Sequence, residues 1–303
     1  MRLLTRSDFD GIACAALLKE LGVIDSMEYA HPKDLQDGKV DVTKNDVLAN
    51  VPYVAGCGLW FDHHSSENER MALEGQYQGC SADAPSAARV IYDYYNDSRL
   101  SKFDEMLEFV DRVDSAQLTE EEILNPTGWV LLGFLCDPRT GLGYHKTFTI
   151  SNLHLMKNLM EALRTQSITE IMADPNIQER VKLYFENDAL CKEFLINNTQ
   201  IDGPVAITDA RGLIGGPPGN RFLIYSLFPK TNISIRMIDG RGKQFVAISV
   251  GYSILNRSAK VDVGSLMLKY GGGGHKAVGT CQVPYADADR VLSEIVEAIK
   301  AET

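Results

Sequence analysis

No apolar run among the 303 residues approaches the roughly 18 to 20 that a membrane-spanning helix requires, which excludes a helical membrane span and leads us to expect a soluble protein. The six cysteines (Cys14, Cys57, Cys80, Cys136, Cys191, Cys281) contain no C-x-x-C, so a zinc ribbon or a redox pair is disfavoured and reduced thiols are expected. Positive charge is scarce. Thirty Lys and Arg stand against 41 Asp and Glu, and the net charge of -11 would repel a long polyanion unless basic residues were concentrated in one cleft. A short or small anionic substrate fits better. No repeat of about 20 to 50 residues and no low-complexity tract is present. The opening MRLLT is too short for the apolar core of a secretory signal, and Asp8 and Asp10 follow at once. No cleaved leader is expected, and the cytoplasm is the expected location.

What is present suggests two domains, because single cores stop growing at about 250 to 300 residues. Leu3 and Leu4 predict a short first strand, and Ile12, Ala15, Ala16, Leu18 and Leu21 then recur at helical spacing. Val47–Leu48 and Leu59–Phe61 predict further buried strands, with helices at about 86–96 and 103–113. Strands alternating with helices imply a mostly parallel sheet. Residues 116–198 read as nearly all helical, and NNTQIDG, 197–203, reads as a turn-rich break. Beyond it, strands at 205–207, 233–237 and 246–250 and helices near 263–270 and 287–300 make a smaller mixed domain. The fold class is α/β, divided into residues 1–198 and 203–303.

Four stretches carry chemistry. TRSDFDG, 5–11, places Asp8 and Asp10 at the end of the first strand, where ligands bind in open parallel sheets; N-capping of the next helix is the competing account. LWFDHH, 59–64, puts Asp62, His63 and His64 at another strand end, as metal ligands or as ordinary loop polarity. Together the two stretches offer carboxylates and imidazoles suited to Mn²⁺, Mg²⁺ or Fe²⁺. FVDRVDSA, 109–116, sets Asp111 and Asp114 on one face at a helix end whose dipole disfavours acids. KYGGGGHKAVG, 269–279, has four consecutive glycines where one would end a helix, which suggests a loop where a ligand approaches backbone N–H groups, with His275 and Lys276 adding donors. Weaker candidates are Arg139 and His145 in DPRTGLGYH, His31 in YAHPKD and a hinge at GLIGGPPGN, 212–220.

The order D-x-D-G, D-H-H, Asp-Ser and G-G-G-G-H across nearly the whole chain resembles the DHH/DHHA1 phosphoesterases, a family that includes RecJ-type exonucleases, nanoRNases and cyclic-dinucleotide phosphodiesterases. The GGGGH and NRS segments are similar to its exopolyphosphatase-related subgroup. The resemblance implies an N-terminal DHH lobe, a smaller DHHA1 lobe and a hydrolytic site in the cleft between them, with two metals about 3.5 to 4 Å apart. It assigns Asp8 to the first metal and Asp10, His63 and Asp114 to the second, with Asp62 orienting His63 and His64 facing the substrate phosphate. Arg257, Ser258, the loop Gly271, Gly272, Gly273 and Gly274, and His275 would bind the rest of the substrate.

Two positions depart from the family pattern. Arg6 stands where the family has a metal-binding histidine, and arginine cannot ligate a metal. Asn50 stands where a bridging aspartate is usual, and its neutral oxygen is a poorer bridge. One bound ion, Mn²⁺ or Mg²⁺, is therefore expected, with Arg6 supplying fixed charge and a fork of donors to phosphate. The expected function is metal-dependent hydrolysis of a phosphoester or phosphoanhydride in a small substrate: a short single-stranded oligonucleotide, nucleotide phosphate, cyclic dinucleotide or polyphosphate end. The alternative is a catalytically impaired protein of the same fold that binds or senses a phosphorylated ligand. Long duplex nucleic acid and membranes are not expected partners, and a homodimer is left open.

Overall fold

The structure, a computed structural model, describes residues 1–64, 77–213, 216–217 and 219–302. Chain contacts divide it into two units, one of Met1–Gln117 with Pro126–Leu183 and one of Leu118–Asn125 with Tyr184–Thr303. The division falls inside the helix Pro175–Asn198. Among the described residues no helix is long and apolar enough to cross a membrane.

The first unit is built on a parallel sheet of five strands, β1 (Arg2–Thr5), β2 (Ser26–Tyr29), β3 (Asp46–Ala49), β4 (Leu59–Asp62) and β5 (Gly79–Ser81), in the order β2-β1-β3-β4-β5. β3 and β4 are almost wholly buried, which is why their sequences read as continuous apolar runs. β2 and β5 leave little apolar signal: they lie at the sheet edges, and in SMEY and GCS only Met27 is buried. Helix α1 (Phe9–Glu20) follows β1 and has no polar face through its middle, since Ile12 to Leu18 are all fully buried. Its Ala-rich middle lets neighbouring helices approach closely, and a helix apolar all round belongs in a core. The predicted helices at 86–96 and 103–113 are Ala87–Tyr95 and Asp104–Asp114.

The second unit carries a six-stranded mixed sheet: β6 (Thr199–Asp202), β7 (Val205–Asp209), β8 (Ile233–Asp239), β9 (Phe245–Tyr252), β10 (Gly273–His275) and β11 (Val278–Pro284), in the order β10-β11-β9-β8-β7-β6. Val246, Ile248 and Val250 alternate inward on β9, as do Cys281 and Val283 on β11, and they pack with Val263, Met267, Val291 and Ile295 from two helices into one core. Two expectations are corrected here. NNTQIDG is not a break: its asparagines complete a helix, with Asn198 Nδ2 donating to Phe194 O at 2.7 Å, and Thr199–Asp202 forms β6. An exposed edge strand needs few apolar residues, so its composition imitates a turn. The glycine run is likewise not simply a loop, because Gly273–His275 pairs antiparallel with β11. Ile214, Gly215 and Pro218 of GLIGGPPGN, and so part of the hinge suggested there, lie outside the described residues, as do Ser65, Ser66 and Glu67 after the two histidines.

Candidate metal centre

Strand order and register gather the candidate residues at one end of the parallel sheet. Thr5 pairs with Ala49 and Ala49 with Phe61, so Arg6, Asn50 and Asp62 emerge level with one another. The strand order reverses between β1 and β3, the switch point where sheets of this order leave a crevice beyond their carboxyl ends. Gly11 lets α1 start directly above β1. A Cβ there would collide with the Arg6 carbonyl oxygen and come within 2.8 Å of Thr5 Oγ1.

Asp10, His63 and Asp114 each turn one donor atom toward a common point, with all three atoms within 4.8 Å of one another. Asp10 is buried and accepts the N–H groups of Ala87 at 2.9 Å and Ala88 at 2.8 Å, in the first turn of the helix capped by Ser86. His63 Nδ1 lies 3.1 Å from the Ala84 carbonyl, which only accepts, so Nδ1 carries the proton. In the neutral ring Nε2 is then a bare lone pair, 3.3 Å from Asp114 Oδ2 and 4.0 Å from Asp10 Oδ2, and it makes no hydrogen bond among the described residues. A lone pair facing two carboxylates is satisfied by a cation or a proton. Burial beside Asp114 and Asp8 pushes the Asp10 carboxyl well above the usual range against the two backbone N–H bonds. Asp114 is raised too, chiefly by burial, with the neighbouring His63 opposing. The donor set of two carboxylates and one imidazole suits Mn²⁺, Mg²⁺ or Fe²⁺.

Asp62 does not orient His63, as the resemblance implied. Its Oδ1 lies 2.8 Å from His64 Nδ1 instead, and the Ala84 carbonyl holds His63. Adjacent residues leaving a strand point to opposite sides, so the carboxylate of Asp62 reaches the second imidazole rather than the first. Burial opposes the charged form of His64, but the hydrogen bond and charge of Asp62 outweigh it and raise its pKa above the ordinary histidine value.

Asp8 and Asn50 are occupied elsewhere. Asp8 caps α1, its Oδ1 accepting Gly11 N and Asn50 Nδ2 at 3.0 Å each, while Arg6 Nε lies 3.1 Å from its Oδ2. Capping and site chemistry, left as alternatives by the sequence, both apply to this stretch, with Asp8 as the cap. Asn50 is buried with φ 56°, and its Oδ1 has no partner among the described residues. The charge of Asp8 raises Arg6 above its ordinary pKa despite burial, with Asp114, Asp10 and Asp137 adding to it.

The choice between Asp111 and Asp114 is decided by neighbours. Asp111 accepts Ser86 Oγ at 2.6 Å and Arg89 Nε and Nη2 at 2.9 and 2.7 Å, which ties two helices together and leaves Asp114 facing His63. His31 is a helix cap, its Nδ1 accepting Lys33 N. Arg139 pairs with Asp137 at 2.7 Å, and His145 packs near Phe148. In the second unit Arg257 Nε donates to Ile254 O, and the Ser258 hydroxyl accepts from Asn232 Nδ2 at 3.0 Å and donates to Asn256 Oδ1 at 2.8 Å. A Cβ at Gly272 or Gly274 would collide with the backbone oxygens of Thr280 or Val278, so β11 alone requires these glycines. Gly271 ends the preceding helix at φ 73°. Gly273 is different, because a Cβ there would meet nothing nearer than Leu268 at 4.0 Å. Sequence reasoning missed the Ala84 carbonyl and the helix start at Ala87 and Ala88; only Ser86, a good cap before an apolar run, signalled the latter.

Comparisons with known proteins match the chain along its whole length. The chain is 44% identical to the solved pGpG-specific phosphodiesterase PggH from Vibrio cholerae, covering 100% of this chain and 99% of that one, with a TM-score of 0.83. The RecJ structure in complex with Mn²⁺ from Thermus thermophilus shares the fold at 11% identity and a TM-score of 0.50, over 99% of this chain and 52% of that one. The A-adding tRNA nucleotidyltransferase of Aquifex aeolicus (strain VF5) is 24% identical over 218 residues, 69% of this chain. The chain spans about a quarter, 25%, of the length of that curated relative. No protein-family model matches the chain. Fold and similarity together define a hydrolase of phosphoester bonds. The chain belongs to the DHH phosphoesterase family.

Proposed function

We propose that this enzyme cleaves the phosphodiester bond of a short linear dinucleotide such as pGpG, with a divalent cation held by Asp10, His63 and Asp114. The bare Nε2 of His63 carries the reading, since it faces two carboxylates in a buried corner and is satisfied by a cation. When bound, Mn²⁺ or Mg²⁺ supplies Lewis-acid polarisation of the phosphate and a nucleophile at neutral pH. His64, charged more readily than an ordinary histidine because of Asp62, donates a proton to the leaving oxygen. Asp62 keeps the proton-bearing tautomer in place.

The substrate assignment is supported by the 44% identity to a pGpG-specific enzyme along the full chain, and by a net charge of -11 that disfavours long polyanions. Residues 203–303 are read as the substrate-holding domain, through Arg257, Gly273 and His275. Gly273 has no packing reason to lack a side chain, which suits close approach of a ligand to its backbone. The Ser258 hydroxyl is occupied within its own loop and serves to shape the segment that carries Arg257. Residence in the cytoplasm belongs to the same proposal.

The test is product analysis with purified protein and Mn²⁺ or Mg²⁺, offering pGpG, a cyclic dinucleotide, phosphoadenosine phosphate and polyphosphate. The expected result is conversion of pGpG to GMP that stops with a chelator and resumes on adding Mn²⁺. Turnover of polyphosphate with pGpG untouched would overturn the substrate and favour the exopolyphosphatase-related reading.

A further inference from the structure

The family implies two bound cations, and the residues here fit one of them. Around Asp8 a second ion has no place to form: Asp8 Oδ1 is engaged by Gly11 N and Asn50 Nδ2, and Arg6 Nε occupies the Oδ2 side. Arginine has no lone pair to offer a metal. We propose that the Arg6 guanidinium is itself the second cation of this centre, a tethered and permanent positive charge that works beside a single divalent ion. The inference rests on the reading that Asp10, His63 and Asp114 hold that ion.

Charge balance supports it. Asp8, Asp10 and Asp114 carry three negative charges between them, which one divalent ion and one guanidinium neutralise. A second ion beside Arg6 would leave two positive charges in surplus where Asp8 and Asp10 are buried, and desolvated charge without a counter-charge is unfavourable. Asn50 completes the substitution. Its amide donates to Asp8, whereas a carboxylate there would repel Asp8 and require an ion between them. The two departures from the family pattern are therefore mutually consistent, each suiting the other and neither suiting a second metal. The remaining N–H groups of Arg6 have no hydrogen-bond partner among the described residues, and the side chain is 30% exposed, so its fork remains available to a phosphate oxygen.

The experiment counts Mn²⁺ per chain in the full-length protein by equilibrium dialysis with elemental analysis, and reads ion–ion coupling by electron paramagnetic resonance. One uncoupled ion is expected in the wild type and in Arg6→Met, none in His63→Ala, and two coupled ions in R6H/N50D, with circular dichroism and Tm confirming that each variant is folded. Inorganic phosphate serves as the second probe. In Mn²⁺-loaded Arg6→Met its affinity should fall about tenfold, the loss expected for a charge-assisted hydrogen bond, while the ion count is unchanged. Two ions in the wild type, a folded R6H/N50D that still takes one, or unchanged phosphate affinity in Arg6→Met would each overturn the proposal. A wild type that takes no ion, or a single ion that survives His63→Ala, would instead remove the three-ligand reading beneath it.

Discussion

Asp8 and Asp10 sit two residues apart at the start of one helix and meet opposite surroundings. Asp8 is met by donors on every side, from Gly11, Asn50 and Arg6. Asp10 is held from behind by two N–H groups of a helix start and faces Asp114 and an acceptor nitrogen in front. The Asp8 carboxylate finds its donors within the protein, whereas Asp10, His63 and Asp114 turn their donor atoms toward one another. Spacing explains the divergence: Asp8 is the cap of α1, and Asp10, in its first turn, projects toward the helix Ala87–Tyr95. A carboxylate whose remaining neighbours are acceptors is left open to a cation, and one whose neighbours are donors is a structural anchor.

The largest loss is expected at His63. His63→Ala removes the nitrogen that faces the two carboxylates, so Mn²⁺ binding and pGpG hydrolysis should both fall to background, measured by dialysis and by nucleotide release. A smaller change follows from His64→Gln, which leaves the ion count intact and lowers kcat about 10²-fold by removing the proton donor. Asp62→Asn should cost about tenfold, since it disturbs only the support of that imidazole. Should Asp62→Asn reduce Mn²⁺ occupancy rather than kcat, the assignment of Asp62 to His64 is wrong.

Gly11→Ala strikes both corners at once. The added methyl group meets the Arg6 carbonyl and Thr5 Oγ1, and we expect a loss of about 1 to 3 kcal/mol in urea unfolding, typical of overpacking. Asp114→Asn sharpens the contrast with the smallest and least intuitive effect. Burial raises the Asp114 carboxyl, so the folded chain binds its proton more tightly than the unfolded chain. Stability from this group is therefore present at low pH and lost as pH rises above the ordinary carboxylate value of about 3.9. Asparagine escapes that loss and can donate to His63 Nε2. Metal-free Asp114→Asn should melt about 2 to 4 °C higher than metal-free wild type at pH 7, a shift of ~1 kcal/mol, with the advantage shrinking toward pH 4. Adding Mn²⁺ should reverse the order, because only the wild type gains from binding it.

Much of the site was legible before the fold was known. The strand ends carrying Asp8, Asp10, Asp62, His63 and His64 follow short apolar runs, and burial on both faces makes such runs conspicuous. The edge strands β5, β6 and β10 were not legible, since an edge strand keeps its pairing without apolar side chains. Asp111 and Asp114 were indistinguishable by spacing, because both lie on one helix face. Arg89 and Ser86 claim the first, and nothing in the local sequence announces that claim.

Ligand chemistry is a property of side chains, so the types of donor available, and the two that are missing, can be read from residue identities: Arg6 cannot bind a metal and Asn50 cannot bring a charge. Which donor faces which is a matter of the fold. That a carbonyl 21 residues away from His63 sets its tautomer, and that Asn50 reaches Asp8 from the end of the neighbouring strand, depend on the register of parallel strands and the approach to a distant helix. A hydrogen bond between residues far apart in the chain is set by packing that no local pattern encodes.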